Sequence, residues 1–91
     1  MILFPRIHNN GSDGDKLFQD VSSAIASLRQ SIAQLRNTEP HARDYYVLGN
    51  NAYAKASNEY VERLSKVTQV LKELEDIQES ILDQIESRAK R

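Results

Sequence analysis

The residues with the most evident potential for chemistry are carboxylates near the C-terminal end. Between residues 73 and 86 the sequence places six acidic side chains and no basic one. Paired carboxylates can act as general acid and base, but only where a cleft shifts their pKa values. On the polar side of a long helix they instead form a solvated face, or at most an acidic contact surface for a basic partner. The six are Glu73, Glu75, Asp76, Glu79, Asp83 and Glu86.

Other groups that could bind a metal or catalyse a reaction do not form a recognisable site. His8 and His41 lack a second ligand at metal-binding spacing, and the chain has no cysteine. Residues 9–20 can be aligned with a calcium loop, but Gly11 falls at a ligand position and Asp20 replaces the required glutamate. No nucleophile–base set or phosphate-binding loop is present. The sequence therefore predicts no catalytic residues, no metal, no cofactor and no enzymatic activity.

Length and composition narrow the class of protein. The 91 residues suffice for one small domain, and a net charge of −1 provides no general attraction to nucleic acid or an anionic membrane. The apolar start is interrupted at Pro5, before a signal-peptide core could form. No apolar run approaches the roughly 18 residues of a spanning helix. We expect a soluble, cytoplasmic protein with no membrane contact.

The first element that the periodicity predicts is a helix over about residues 13–37. Ser12, with Asp15 three residues later, resembles a capping box at its start, and Pro40 prevents it from continuing beyond the following turn. Residues 1–14 are then an apolar arm and a turn-rich loop, and residues 15–91 a single domain. The heptad positions of helix 1 are Phe18, Val21, Ile25, Leu28, Ile32 and Leu35.

A longer helix is predicted over about residues 51–90. Gln78 is the one polar residue that interrupts its heptad stripe. Residues 38–50 connect the helices and read as a partly ordered loop. The alternative is a helix that starts near Pro40 and runs through Gly49. The apolar positions of helix 2 are Tyr60, Leu64, Val67, Leu71, Leu74, Ile81 and Ile85.

These elements predict an all-α fold, an antiparallel, coiled-coil-like helical hairpin with arms of unequal length. If the helices begin to pair directly at the connection, helix 1 extends only as far as about residue 73 of helix 2. The aliphatic side chains after residue 73 then have no cover from helix 1. The N-terminal arm could cover them in its own chain or in a neighbour. We favour self-association into a helical bundle. The predicted homo-oligomer interface is Leu71, Leu74, Ile77, Ile81, Leu82 and Ile85.

The connection contains a second candidate surface. Arg43, Asp44, Tyr45 and Tyr46 could form a partner-binding tip, because Tyr and Arg are common interface anchors. The alternative is that the Tyr rings cap the end of the bundle while Arg43 and Asp44 hold the backbone of the loop.

The segment from Pro40 to about Ile77 resembles small helical proteins of bacteriophage and prophage gene sets. This resemblance covers under half of the chain and implies a phage origin, hence the cytoplasm of a bacterial host, but no particular activity. It is carried by Pro40-His41, Arg43-Asp44-Tyr45-Tyr46, Gly49, Ala52, Ala56, Glu59-Tyr60 and Arg63-Leu64.

Two functions follow from this sequence. The first is a non-catalytic helical interaction protein that self-associates and binds a protein partner. The alternative is a nucleic-acid-associated accessory protein that uses the basic face of helix 1 in an oligomer, formed by Lys16, Arg29 and Arg36. The low net charge favours the first.

Overall fold

Two α-helices dominate residues 2–89, the part of the chain that the computed structural model describes. They run antiparallel and pack against each other, so the predicted all-α helical hairpin is confirmed. Met1, Lys90 and Arg91, which belong to the predicted arm and second helix, lie outside the described residues. In chain order the elements are α1 (Gly14–Arg36), two 3₁₀ turns (Ala42–Asp44 and Tyr46–Leu48) and α2 (Ala52–Ala89).

Local side-chain chemistry sets the ends of α1. The Asp13 carboxylate accepts a hydrogen bond from the backbone N–H of Asp15 at 3.4 Å, so Asp13 is the N-cap. The capping box predicted at Ser12 therefore begins one residue too early. At the other end, the backbone N–H and the hydroxyl of Thr38 both donate to the carbonyl three residues earlier, at 2.9 and 2.6 Å. These bonds satisfy the last turn just before Pro40 ends any helical continuation.

The connection between the helices contains two 3₁₀ turns, and the continuous α-helix that was the alternative to a partly ordered loop does not form. The second turn packs against α2. It ends at Gly49, whose φ of 118° lies in a region that residues with a side chain rarely adopt. The carbonyl of Gly49 then accepts the backbone N–H of Ala52 at 3.4 Å, at the start of α2.

Three contacts define how α1 is aligned with α2. Arg29 Nη2 lies 2.8 Å from Glu75 Oε2, Gln78 Nε2 donates to Ser22 Oγ at 3.0 Å, and a β-carbon at Gly14 would lie 3.4 Å from Ile85 Cγ1. The partly buried pair of Gln78 and Ser22 gives the interrupted heptad position a role. A polar pair within an apolar seam favours the one alignment in which both groups are bonded.

The predicted alignment placed the N-terminal end of α1 opposite about residue 73 of α2. That alignment is therefore wrong. The first residue of α1, Gly14, lies beside Ile85, a difference of twelve residues or about 18 Å along α2. The prediction assumed that the helices meet at the connection. Instead, Leu35 near the C-terminal end of α1 shares a crevice with Val67, so α1 packs against the C-terminal half of α2. Residues 37–51 connect that point to the start of α2 at Ala52.

The N-terminal arm covers what α1 leaves exposed at the far end of the hairpin. The Ile7 side chain lies against Gly14 at this end. Its Cδ1 would be only 2.9 Å from a β-carbon placed on that glycine. Ile81 is completely buried. The expectation that α1 leaves the aliphatic residues after position 73 uncovered is wrong, because α1 reaches Ile85. Of the two sources of cover that the sequence left open for the arm, its own chain supplies it here, although Leu82 stays exposed.

The resulting molecule is a rod with a small core. Its principal extents are 65 × 23 × 20 Å. Among the described residues the core is a short line of side chains along the two helices, which limits the apolar area that a single chain removes from water. The buried apolar side chains are Ile25, Ile32, Ala56, Tyr60 and Ile81.

Candidate interaction surfaces

A glutamine side chain holds the N-terminal arm on α2. Gln84 accepts the backbone N–H of Ile7 through Oε1 at 2.8 Å and donates from Nε2 to the carbonyl of Pro5 at 2.9 Å. Its amide thus pairs with the extended backbone as a neighbouring strand would. Arg88 adds a bond from Nη1 to the Ile7 carbonyl at 3.2 Å. These bonds explain how residues 5–7 of the arm are held on a helix.

Replacing Gln84 with Ala is expected to release the arm. The two lost backbone bonds should lower the free energy of unfolding by about 2 kcal/mol. Hydrogen exchange at the Ile7 amide should accelerate at least about tenfold, since its acceptor is gone. Gln30→Ala, on the exposed side of α1, is the matched control. Unchanged exchange at Ile7 in Gln84→Ala would show that the arm is held by its apolar contacts alone.

The residues predicted to form an oligomer interface lie mostly in contact with their own chain. Ile81 is buried, and four others are half-buried in the hairpin. Only Leu82 is exposed. Self-association through these residues stays a prediction, but the physical reason for it, exposed aliphatic surface, remains only at Leu82. The half-buried residues are Leu71, Leu74, Ile77 and Ile85.

The acidic stretch of α2 is partly neutralised by neighbouring cations. Glu75 pairs with Arg29 across the hairpin at 2.8 Å, and Asp76 pairs with Lys72 one turn earlier. The hydrogen bond that Lys72 Nζ donates to the Asp76 carboxylate, and then the negative charge of Asp76, raise the pKa of the Lys72 ammonium above its ordinary value. Exposed pairs of this kind add little to stability, because solvent screens the two charges. They orient side chains on the surface of the hairpin and do not create a reactive carboxylate pair.

The connection divides its adjacent tyrosines between two environments. Tyr45 is half-buried, whereas Tyr46 is exposed, as are Arg43 and Asp44. The sequence offered anchoring and partner binding as alternative roles for both rings, and the structure gives the two rings different surroundings. Sequence reasoning missed the apolar residues that follow. Tyr46, Val47 and Leu48, here called the connection surface, are 73%, 73% and 69% exposed.

A second exposed apolar region lies on the N-terminal half of α2, beyond the reach of α1. Val61 protrudes there, and Leu64 beside it is only half-buried. The two residues line one wall of a shallow, mostly apolar groove of about 590 Å³. Its other lining residues are Ser65, Thr68, Gln69 and Lys72. The heptad pattern contained Leu64 but not Val61, because the pattern followed the stripe that faces α1.

The basic face of α1 is largely engaged within the hairpin. Lys16 pairs with Asp20 at 3.0 Å, and Arg29 pairs with Glu75. Both cations would have to exchange a carboxylate for a phosphate to serve the alternative nucleic-acid function. Of the three residues proposed for it, only Arg36 lacks an ion pair within residues 2–89.

The fold and its surfaces define a class of protein: a two-helix hairpin whose N-terminal arm is hydrogen-bonded to the end of α2. Exposed apolar surfaces lie at the opposite end of the hairpin. No protein-family model, curated protein or solved structure matches the chain. Neither helix contains, within residues 2–89, an apolar stretch long enough to cross a membrane. The same part of the chain has no cluster of three or more His, Asp or Glu side chains placed to hold a metal ion.

Proposed function

We propose that this chain is a non-catalytic helical interaction protein that self-associates and binds a protein partner. The observation that carries the proposal is the connection surface, three consecutive apolar residues that are each about 70% exposed. Phage origin and the cytoplasm of a bacterial host belong to the same proposal and rest on the resemblance of residues 40–77.

The composition of the connection surface suits protein binding. Tyr46 presents a large ring with a polar tip, and Val47 and Leu48 supply aliphatic area beside it. Contiguous exposed apolar residues of this kind mark interaction sites, and tyrosine is enriched among the residues that dominate binding energy. Arg43 and Asp44, both exposed in the preceding 3₁₀ turn, would supply the polar rim.

The surroundings of the carboxylates favour a binding role over catalysis. The acidic residues of α2 lie on the outside of a rod, and two of them are paired with Arg29 and Lys72. A general acid–base pair needs a dry cleft that separates the pKa values of its members. The groove between the arm and α2, of about 440 Å³, is open to solvent and lined by exposed charges, including Arg6 and Asp83.

Affinity capture from a bacterial lysate tests the proposed partner binding. A protein retained by the wild-type chain should be lost by at least about tenfold with Val47→Glu, because an unpaired charge would enter the contact. Val70→Glu is the matched control, since Val70 is also an exposed valine but lies on α2 outside the connection surface. A captured protein that Val47→Glu retains as well as Val70→Glu does would contradict this use of the connection surface.

A further inference from the structure

A stripe without charged residues runs along the N-terminal half of α2. Every charged residue between positions 52 and 71 falls outside it, namely Lys55, Glu59, Glu62, Arg63 and Lys66. The stripe keeps alternating spacings of three and four, so its members lie on one face of the helix. We call it the neutral stripe, and its members are Ala54, Ser57, Val61, Leu64, Thr68 and Leu71.

The neutral stripe is accessible and more apolar than its composition suggests. Ala54, Val61 and Thr68 are exposed, and the other members are half-buried. The Thr68 hydroxyl donates to the carbonyl of Leu64 at 2.8 Å, so its hydrogen bond is made within the helix. Thr68 can therefore enter an apolar contact with its hydroxyl hydrogen still bonded. Small residues at Ala54 and Ser57 allow close approach of another helix.

We propose that a second copy of this chain docks on the neutral stripe, with the two α2 helices antiparallel. The inference rests on the self-association in the proposed function and names its surface. The two-fold axis passes between Glu62 and Arg63, so that Val61 of each copy packs against Leu64 of the other. Moving outward, Ser57 then opposes Thr68, and Ala54 opposes Leu71.

The order of residue sizes favours this arrangement over a parallel one. In the antiparallel pairing the smallest member, Ala54, meets a leucine, so the volumes of the layers differ less than they would in a parallel pair. A parallel pair would place Ala54 against Ala54 and Leu71 against Leu71. The first layer would then leave a gap between the helices, and the second would be crowded. It would also align the two helix dipoles in the same direction.

The surface area of the single chain supports a second copy as the occupant. A compact protein of 10.4 kDa exposes about 5,400 Å². This chain exposes 7184 Å², and its radius of gyration of 19.4 Å compares with about 12 Å for a compact domain of its length. The excess of about 1,800 Å² exceeds the roughly 800 Å² that each partner buries in a standard interface. A dimer can thus supply burial that the five-residue core does not.

Sedimentation equilibrium of the full chain, from low to high micromolar concentration, tests the dimer with a matched pair of valines. Val61 is 62% exposed on the neutral stripe, and Val70 is 47% exposed outside it. Val61→Glu should weaken dimerisation at least about tenfold, because each copy would bury an unpaired charge, whereas Val70→Glu should leave it unchanged. A wild-type monomer at high micromolar concentration would overturn the inference, as would a dimer that Val61→Glu does not weaken.

Cross-linking tests the direction of the two helices independently of charge. The chain has no cysteine, so engineered thiols report only on their own positions. A mixture of Val61→Cys and Leu64→Cys chains should form the mixed disulfide dimer in preference to either homodimer. Preferential Val61→Cys homodimers would instead indicate parallel helices and overturn the proposed pairing.

Failure of this inference is distinguishable from failure of partner binding. A chain that sediments as a monomer, yet captures a protein that Val47→Glu loses, would overturn the second copy and support the connection surface. A dimer broken by Val61→Glu, with no capture that depends on Val47, would support the neutral stripe and count against partner binding.

Discussion

Replacing Ile81 with Ala is expected to lower the free energy of unfolding by about 3 kcal/mol, which for a domain of this size lowers Tm by about 15 °C. Ile81 is the only large side chain in residues 2–89 that is completely buried. It lies one turn before Gln84, which binds the arm, and Ile85, which lies beside the start of α1. Removing its outer carbons leaves a cavity that two rigid helices cannot close. Urea denaturation, monitored by circular dichroism, would measure the decrease in the free energy of unfolding.

Leu82→Ala is the control for this substitution. Leu82 is adjacent in sequence and similar in volume, but 39% of its surface is exposed against 0% for Ile81. We expect its truncation to cost under about 1 kcal/mol. Equal losses for the two variants would mean that the C-terminal half of α2 is covered differently, for example by an oligomer contact at Leu82. Both variants should be compared at one protein concentration, because dimerisation would stabilise the folded state.

Replacing Tyr60 with Ala is expected to cost about 3 kcal/mol, the second large loss. Tyr60 is 8% exposed, although α1 does not reach it. Leu35, near the C-terminal end of α1, lines a crevice of about 210 Å³ together with Val67, two turns after Tyr60. Side chains on a helix lean toward its N-terminus, so the Tyr60 ring leans away from α1 and toward Ala56. We infer that the connection buries it. Its removal should therefore destabilise the 3₁₀ turns together with the first turns of α2.

Tyr53→Ala provides the matched comparison for Tyr60. It removes the same side chain from the same helix, two turns earlier, where 42% of the residue is exposed. We expect a loss of at most about 1 kcal/mol. Hydrogen exchange should show faster opening of residues 42–48 in Tyr60→Ala and little change in Tyr53→Ala. The reverse result would mean that the connection is anchored by Tyr53.

Binding surfaces were harder to predict than helices because exposure depends on alignment. The sequence singled out Tyr45 and Tyr46 as a pair, but only the fold distinguishes the half-buried ring from the exposed one. Val61 drew no attention in the sequence, because a valine outside the dominant heptad stripe looks like any surface residue. Val61 is exposed because the C-terminal end of α1 stops short of it, and only the structure shows where that end lies.

The sequence by itself determined the all-α hairpin and the approximate extent of each helix. Heptad spacing and Pro40 are local signals, and they act within a few residues of the backbone that they shape. The positions of α1 and the arm along α2 were decided only in the tertiary structure. A heptad stripe repeats every two turns, so apolar side chains alone permit several alignments. The choice among them depends on specific polar contacts, from Gln78 to Ser22 and from Gln84 to the arm, between residues more than 50 positions apart.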